Sequence, residues 1–529
     1  MHDARSIRLP LLAALAVAVV ASLAVAAPRC EKPCKAETAA CIGTRCAGLD
    51  REARRQCIET CRGIGGCAAI RTLAYVVNEC RTDGPIFHQA LLVRHGNCAP
   101  VTVMDLELPV LPDQLATFNY LCGLYVVGRF GHIGALVGVF QRLTAMPDGS
   151  GVVFEVTDAV AQPVQLFRLP PEVEEGFYFV RSDGSGLRRL GPPSGVPIVF
   201  YYARGSDPGN FCTGGFVVPN SDISPDGGTF VFTDWGPDPA GEKAIQVATL
   251  DIATGRRAWV TRFPVAERPV PPPFCESYTA YPRFVDNDTI LVASYANPDG
   301  LNPDGYQTGF EINTDGTGLR VLAMPVAPAG GHIDPSFVVA GGGTNLINLE
   351  SSDNTYQEVF LIDRKRLLQL TDFGRQDTSR VFLTPDGRRA FFRASADPLG
   401  TNPSGTCQIF SIDTLGTHLR QLTHFREGET FPNGQESANR CGAYGSTPHF
   451  RRPGCAIFEA YQDPVTQTVV FFSNCNPFGT NPYGGQVFAM RPDGSQLRQL
   501  TSARGRVIEE NGAFTVELPG PTAYSARPH

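Results

Sequence analysis

The chain has 529 residues with a formal net charge of −7, and this acidic balance excludes a basic nucleic-acid-binding body. Hydrophobic residues make up 43% of it, which is enough for a packed core and excludes wholesale disorder. Its 55 glycines and 43 prolines, with only 18% charged residues, favour many tight turns and short strands over long surface helices.

The first 26 residues are predicted to form a secretory signal peptide. Arg5 and Arg8 precede an apolar run over residues 9–25, and the run ends in an Ala-x-Ala cleavage pattern at residues 24–26. An uncleaved anchor is the alternative, but the run is shorter than the roughly 20 residues of a membrane span. We therefore expect an exported chain, periplasmic or secreted, with no membrane span after cleavage.

Residues 27–98 are predicted to form a small helical module held by disulfides, because cysteines in exported chains oxidise. Pairs four residues apart lie on one helical face, and Asp50 can cap a helix that runs to Cys61. The cysteines expected to pair largely among themselves are Cys30, Cys34, Cys41, Cys46, Cys57, Cys61, Cys67 and Cys80.

Zinc is the alternative role for these thiols. The close pairs are spaced C-x3-C rather than C-x2-C, and no histidine lies among them, so the spacing favours disulfides. All 16 cysteines follow the predicted cleavage site, and we expect all of them to pair, with Cys441 and Cys455 as a local pair.

After a connector over residues 99–130, residues 131–505 repeat a strand–turn–strand pattern. In the clearest copies an aromatic residue stands nine residues before a leucine, with a glycine turn between them. These copies run from Tyr178 to Leu187, Phe310 to Leu319, Phe410 to Leu419 and Phe488 to Leu497, and weaker copies begin at Phe360 and Leu250. Each copy predicts a β-hairpin.

A second turn and an apolar strand precede each hairpin. Pro-Asp-Gly stands at residues 147–149, 225–227 and 385–387, and each leads into an apolar run. Each unit then has four short strands, and a period of about 50 residues is typical of propeller blades. We predict six units stacked radially, because an isolated four-stranded sheet cannot bury both faces; a β-sandwich of six hairpins is the alternative.

This pattern resembles the TolB-type, WD-repeat-like β-propeller family. The best matches are Ile-Ser-Pro-Asp-Gly at 223–227 and Pro-Asp-Gly-Ser-Gln-Leu-Arg-Gln-Leu-Thr at 492–501. The resemblance implies an all-β, six-bladed β-propeller over about residues 131–505, preceded by the Cys-rich helical module. Such propellers serve as binding scaffolds, periplasmic assembly components or non-catalytic halves of peptidases, so the fold alone does not set the function.

Two further segments, residues 101–108 and 513–518, alternate apolar and polar side chains. A ring of sheets needs its first and last units joined, because open ends leave unpaired edges. We expect one or both segments to join the sheet where the ring closes. A solvated tail over residues 506–529 is the alternative.

A nine-residue loop rich in Asn, Pro and Gly recurs at residues 297–305, 397–405 and 476–484. Clustered amide and carboxylate oxygens suit calcium, and the first loop offers Asn297, Asp299, Asn302 and Asp304. Asn-Pro-x-Gly is also a type I turn sequence, and the acidic positions change in the other two loops, so a structural role is favoured. We predict no cofactor, and calcium only at the first loop if any loop binds it.

His332 and His449 fall on predicted innermost strands, with Arg283 and Arg380 in comparable positions, and side chains there can face the central channel. Polysaccharide lyases of the propeller type hold a His-bound metal in such a channel, but a metal site needs three or four convergent ligands. Arginines also recur on the predicted outermost strands, where charge blocks edge-to-edge aggregation; an anion-binding stripe is the alternative. They are Arg188, Arg320, Arg420 and Arg498.

The sequence favours a non-enzymatic binding or scaffold protein that meets a protein or glycan partner at a propeller face. The alternative is a propeller-type polysaccharide lyase or hydrolase with its site at the channel mouth. No residue is assigned a catalytic or cofactor-binding role, because the common nucleophile, metalloprotease and nucleotide-binding motifs are absent from the sequence.

Overall fold

The computed structural model describes most of residues 71–524. Outside the described residues lie 1–70 apart from Arg54, residues 525–529 and several connections, chiefly 116–138, 201–220, 266–278, 323–331 and 426–456. The described chain is mostly β-strand, with short 3-10 helices at Pro112–Gln114 and Pro298–Gly300. Within this part of the chain, no helix is both long and apolar enough to cross a membrane.

The strands are numbered in chain order. They are β1 (Thr72–Arg81), β2 (Ile86–His95), β3 (Val101–Pro109), β4 (Phe140–Ala145), β5 (Gly151–Val156), β6 (Ala161–Gln162), β7 (Gly176–Arg181), β8 (Arg188–Gly191), β9 (Val199–Phe200), β10 (Ser221–Ile223), β11 (Thr229–Pro237), β12 (Lys243–Asp251), β13 (Arg257–Trp259), β14 (Thr279–Phe284), β15 (Thr289–Ser294), β16 (Thr308–Asn313), β17 (Arg320–Val321), β18 (His332–Ala340), β19 (Thr344–Glu350), β20 (Gln357–Asp363), β21 (Arg366–Gln369), β22 (Thr378–Leu383), β23 (Arg389–Ala394), β24 (Gln408–Asp413), β25 (Arg420–Gln421), β26 (Ile457–Gln462), β27 (Val469–Ser473), β28 (Gln486–Met490), β29 (Arg498–Gln499), β30 (Gly505–Ile508) and β31 (Phe514–Tyr524).

Six four-stranded antiparallel sheets follow one another along the chain, and we number them one to six. Sheet one is β4-β5-β7-β8, and the other five take β10 to β29 in consecutive groups of four. The first strand of each sheet contacts the first strand of the next, so these strands lie innermost. The fourth strands lie outermost, and they carry Arg188, Arg320, Arg420 and Arg498 as the sequence predicted.

A seventh sheet joins the two ends of the described chain, and we call it the closing sheet. Its order is β3-β2-β1-β31-β30, so three N-terminal strands pair with two C-terminal strands. β31 and β1 contact β4 of sheet one, and β31 also contacts β28 of sheet six. The sheets therefore form a closed ring, which is the architecture of a β-propeller.

The closing sheet corrects several sequence predictions. The sequence predicted six sheets, which matches the number of four-stranded sheets. It missed the closing sheet, because the strands of that sheet do not carry the repeated sequence pattern. Part of the predicted helical module is strand, since β1 and β2 fall within residues 27–98, and the predicted connector contains β3. Both alternating segments join the sheet, and β31 continues past Pro519, where a register shift between Tyr75 and Val77 accommodates it.

Each sheet buries both faces because alternate residues of its second strand pack on opposite neighbours. In sheet one, Val152 and Phe154 pack in a core shared with Phe87 of the closing sheet. Val153, between them, packs in a different core with Phe230 of sheet two. Burial of one such side chain contributes about 1.5–3 kcal/mol, so the apolar runs after the Pro-Asp-Gly turns account for much of the stability of the ring.

A repeated side-chain clasp explains the Leu-Thr ending of the hairpin signature. In sheet five the buried Thr423 donates to Gln408 Oε1 at 2.8 Å and accepts from the backbone N of Ile409 at 2.9 Å. Gln408 also donates to the carbonyl of Phe425 at 2.8 Å. The same clasp occurs at Gln246–Thr261 and Gln486–Thr501, and with a carboxylate at Glu358–Thr371. It ties the third strand to the chain that leaves the fourth.

Candidate functional site

Because neighbouring strands are antiparallel, successive connections alternate between two faces of the ring. One face carries the connections from the first to the second strand and from the third to the fourth. The other face carries the connections from the second to the third strand and from each sheet to the next. The first face carries the Pro-Asp-Gly turns and the hairpin turns, and we call it the turn face. The other carries the Asn-Pro loops and the chain ends that lead into residues 201–220, 266–278 and 426–456, and we call it the loop face.

Contacts of β1 and β3 orient the closing sheet within this scheme. The Thr72 hydroxyl donates to the carbonyl of Gly149, and Val101 lies against Gly184, so β1 and β3 begin at the turn face. β1 therefore runs like a second strand, and β31 takes the place of a first strand in the closing sheet. β30 lies on the inner side of β31, at its loop-face end, where it pairs with residues 514–517.

Two buried asparagines hold the Asn-Pro loops on the loop face. Asn402 donates its amide to the carbonyls of Ser395, Ala396 and Thr406, at 3.3, 3.1 and 2.7 Å. Asn302 does the same to Tyr295 and Ala296, at 3.3 and 3.1 Å. This pinning leaves Leu301 and Leu399 40% and 44% exposed at the loop tips.

The four calcium candidates divide between the inside and the outside of the first loop. The Asn297 side-chain oxygen accepts from the backbone N of Asn302 at 2.7 Å, and Asn302 itself is only 7% exposed. Asp299 and Asp304 lie on the exposed side of the loop, and Asp299 has a positive φ of 52°. The asparagines thus serve the turn, and calcium binding at this loop stays a prediction.

The channel candidates are only partly visible. His332 and Arg380 lie on β18 and β22, both innermost strands, but their side chains, like the whole of His449, are outside the described residues. Arg283 on β14 donates to the carbonyl of Ser221 on β10 at 2.5 Å, so it links neighbouring innermost strands. Among the described residues, no group of three or more His, Cys, Asp or Glu is placed to hold a metal ion.

The cysteine prediction is visible at three positions. Cys98, Cys407 and Cys475 are disulfide-bonded and almost fully buried, and the described part of the chain has no free cysteine. The predicted Cys441–Cys455 pair and the N-terminal cysteines before residue 71 lie outside the described residues. The Cys80 side chain also lies outside them, although its backbone belongs to β1.

A buried charged cluster lies between sheets one and two, toward the loop face. Arg142 on β4 pairs with Glu155 on β5, and neither side chain is exposed. Arg142 also donates to the carbonyl of Val196 at 2.6 Å, and Glu155 accepts from the backbone N of Ser194. The strand β4 has a register shift between Gln141 and Thr144, and Arg142 has a positive φ of 47° within it.

The second half of this cluster belongs to sheet two. Asp234 on β11 accepts from the backbone N of Gly195 at 2.6 Å and forms an ion pair with Arg257 on β13. The Arg257 guanidinium stacks over the rings of Phe232 and Trp259, at 4.7 and 5.2 Å from their centroids. Two carboxylates and two guanidinium groups therefore join the first two sheets and fix residues 194–196 between them.

Burial dominates the electrostatics of the cluster. It raises the pKa of Glu155, against the opposing effect of Arg142 and the Ser194 N–H, and it lowers the pKa of Arg257 to about 10. A carboxyl group with no exposed surface cannot reach a substrate, so its chemistry here is to hold the chain that enters the insertion over residues 201–220. The sequence signal was available: Glu155 interrupts an otherwise apolar strand, and such a charge must be paired.

Comparison with known proteins finds similarity only to solved structures of low sequence identity. No protein-family model matches the chain, and a search of curated proteins found no match. The chain is similar to the β-propeller domain of the Trilobed protease from Pyrococcus furiosus, with 10% identity, a TM-score of 0.43 and coverage of 82% of this chain and 94% of that one. It is also similar to oligogalacturonate lyase from Vibrio parahaemolyticus, with 9% identity, a TM-score of 0.41 and coverage of 78% and 90%. TolB from Acinetobacter baumannii has 12% identity, a TM-score of 0.36 and coverage of 84% and 80%. Likenesses this remote do not distinguish one function from another.

Proposed function

We propose that this protein is an exported, non-enzymatic binding or scaffold protein that receives a protein or glycan partner on its loop face. The observation that carries the proposal is the sorting of connections: the described chain leads into residues 201–220, 266–278 and 426–456 from that face. Loops set on a rigid scaffold are the usual carriers of recognition, because they vary without disturbing the packed sheets.

The polar groups of the described loop face support binding over catalysis. Asn302, Asn402 and the carboxylates of the charged cluster are engaged in holding backbone segments. Leu301 and Leu399 are exposed apolar side chains in the same loops as the two asparagines. A rigid surface of exposed apolar and polar groups suits a partner that is held in place.

Export is part of the same proposal. The predicted leader over residues 1–26 and the disulfide-bonded Cys98, Cys407 and Cys475 support an oxidising compartment, periplasmic or extracellular. Expression of the full chain in a Gram-negative host, followed by fractionation and N-terminal sequencing, tests this. A mature protein that begins at Ala27 outside the cytoplasm is the expected result.

The binding face is tested by site-specific photocrosslinking in the exporting host. A benzophenone amino acid replaces Leu301 or Leu399 on the loop face, and Leu415, which is 81% exposed on a turn-face hairpin, serves as the matched control. Adducts formed at the two loop-face positions and not at Leu415 support the proposal. Equal labelling at all three positions, or at Leu415 alone, contradicts it.

The enzyme alternative is tested on the same purified protein. Anionic polysaccharides and unstructured peptides are incubated with it and analysed by size-exclusion chromatography and mass spectrometry. Cleavage at a rate that scales with protein concentration would replace the binding proposal by a lyase or hydrolase. Retention of intact polymer on the immobilised protein supports binding.

A further inference from the structure

The outermost strand of the closing sheet is unusually long. β3 spans nine residues, whereas the outermost strands of the six four-stranded sheets span two to four. A long edge strand presents a row of backbone N–H and C=O groups that can pair with another chain. The closing sheet therefore has an edge that the other sheets lack.

The outer edge of β3 has no strand against it in the described part of the chain. β3 ends the sheet order, and among the described strands it pairs with β2 alone. The next contact is a single bridge from Val110 to Phe167, just beyond its end. A register shift at Val103 interrupts the first part of β3, so the regular edge covers residues 104–109. We call this stretch the docking edge.

The two faces of the docking edge differ in charge. Leu106 and Leu108 are buried in the core shared with sheet one. Asp105 and Glu107 are exposed and alternate with them, so they lie on the opposite face. On that face Ile86, opposite Pro109 in register, is 44% exposed. The surface thus combines two carboxylates with one apolar side chain.

We propose that the docking edge binds an extended segment of another protein, which adds as a strand beside β3 and carries Lys or Arg at alternate positions. Residues opposite one another on adjacent strands are about 5 Å apart, so such cations would lie next to Asp105 and Glu107. On this face His88 contacts Asp105. Backbone pairing gives the affinity and the alternating charge gives the selectivity, as in β-strand addition generally.

A second copy of this chain is a poorer occupant. The docking edge contains two carboxylates and no lysine or arginine, so pairing two copies would gather like charges at one seam. The charges on the docking edge and the register shift at Val103 also discourage unspecific edge-to-edge pairing with other strands. Natural edge strands commonly carry such features. Both features favour a basic partner over self-association.

The test uses the full mature protein and synthetic peptides read by fluorescence anisotropy. The probe is an eight-residue peptide in which lysine alternates with valine. The first control peptide has glutamate in place of lysine, and the second keeps the lysines but is N-methylated at alternate backbone nitrogens. We expect both controls to bind at least tenfold more weakly than the probe. Equal binding of the N-methylated peptide would overturn strand addition.

Protein variants locate the site. Asp105→Lys combined with Glu107→Lys should weaken binding of the lysine probe at least tenfold, with an unchanged thermal midpoint. The matched variant, Asp288→Lys with Asp315→Lys, makes the same charge change at exposed positions on the turn face and should leave binding unaltered. Equal loss in both variants would mean unspecific charge attraction. A concentration-dependent dimer that the first variant abolishes, seen by sedimentation, would replace the basic partner by a second copy.

Discussion

Arg71 Nε lies 2.8 Å from Asp463 Oδ2, and this ion pair joins the start of β1 to the first turn of sheet six. Asp463 is fully buried there, and its side-chain oxygen also accepts from the backbone N of Thr466 at 3.0 Å. The pair therefore links the N-terminal strands to the last four-stranded sheet. Arg94 adds a second link, because it donates a hydrogen bond to the carbonyl of Leu500 at 3.0 Å.

Replacing Asp463 with asparagine should destabilise the ring. The change leaves the largely buried Arg71 guanidinium without its anion, and breaking such a pair costs about 3 kcal/mol. Thermal unfolding followed by circular dichroism measures the loss as a lower midpoint. Asp299→Asn, on an exposed loop where asparagine also tolerates the positive φ, should change stability by less than about 0.5 kcal/mol. Equal midpoints for wild type and Asp463→Asn would show that this pair does not hold the closure.

Removal of the C-terminal strand should open the ring. Deleting residues 506–529 takes away β31, which pairs with β1 along most of its length, and exposes the edge of β1. We expect a lower unfolding midpoint and concentration-dependent association by light scattering. Deleting only residues 525–529, beyond β31, is the control and should leave both unchanged. A monomeric long deletion with the wild-type midpoint would contradict closure by β31.

The buried clasp residues should contribute more to the free energy of unfolding than threonines that make exposed hydrogen bonds. Thr423→Val leaves the backbone N–H of Ile409 without its acceptor in a buried position, which costs about 1–3 kcal/mol. Thr401→Val removes an exposed hydrogen bond to Gln421 and should cost less than about 0.5 kcal/mol. Chemical denaturation of the two variants compares them directly, and similar losses would argue against the clasp as a stabilising unit.

The pKa of a hairpin aspartate should depend on the hydrogen bonds that it accepts from its turn partner. Asp493 Oδ1 accepts from the hydroxyl and the backbone N of Ser495, at 2.6 and 2.9 Å, and these bonds lower the pKa of Asp493 below its usual 3.8. Since a lowered folded-state pKa stabilises the fold above the unfolded value, this contribution is lost as pH falls through the folded pKa. Ser495→Ala should raise the pKa of Asp493 toward 3.8 in a carbon-detected NMR titration. An unchanged pKa would assign the shift to other groups.

The sequence determined the repeating part of this protein because local chemistry carries it. Pro-Asp-Gly turns followed by apolar runs such as Val152–Val153–Phe154 require a strand buried on both faces, and the Leu-Thr ending reflects a clasp between strands close in sequence. The same local logic predicted that Asn302 would serve a turn. Each of these features recurs in at least three units, so their spacing alone indicated radially stacked sheets.

Only the tertiary structure revealed the closing sheet and the buried charged cluster, because neither is part of the sequence repeat. β1 and β2 stand in the segment whose cysteines predicted a helical module, yet β1 pairs with β2 and with β31, more than 400 residues away. Their sheet is completed by β31 and β30 from the other end of the described chain, so periodicity could not reveal it. Arg142, Glu155, Asp234 and Arg257 likewise come from four strands of two sheets. Their charges are tolerated because folding brings them together, and a contact between distant residues leaves no local pattern to read.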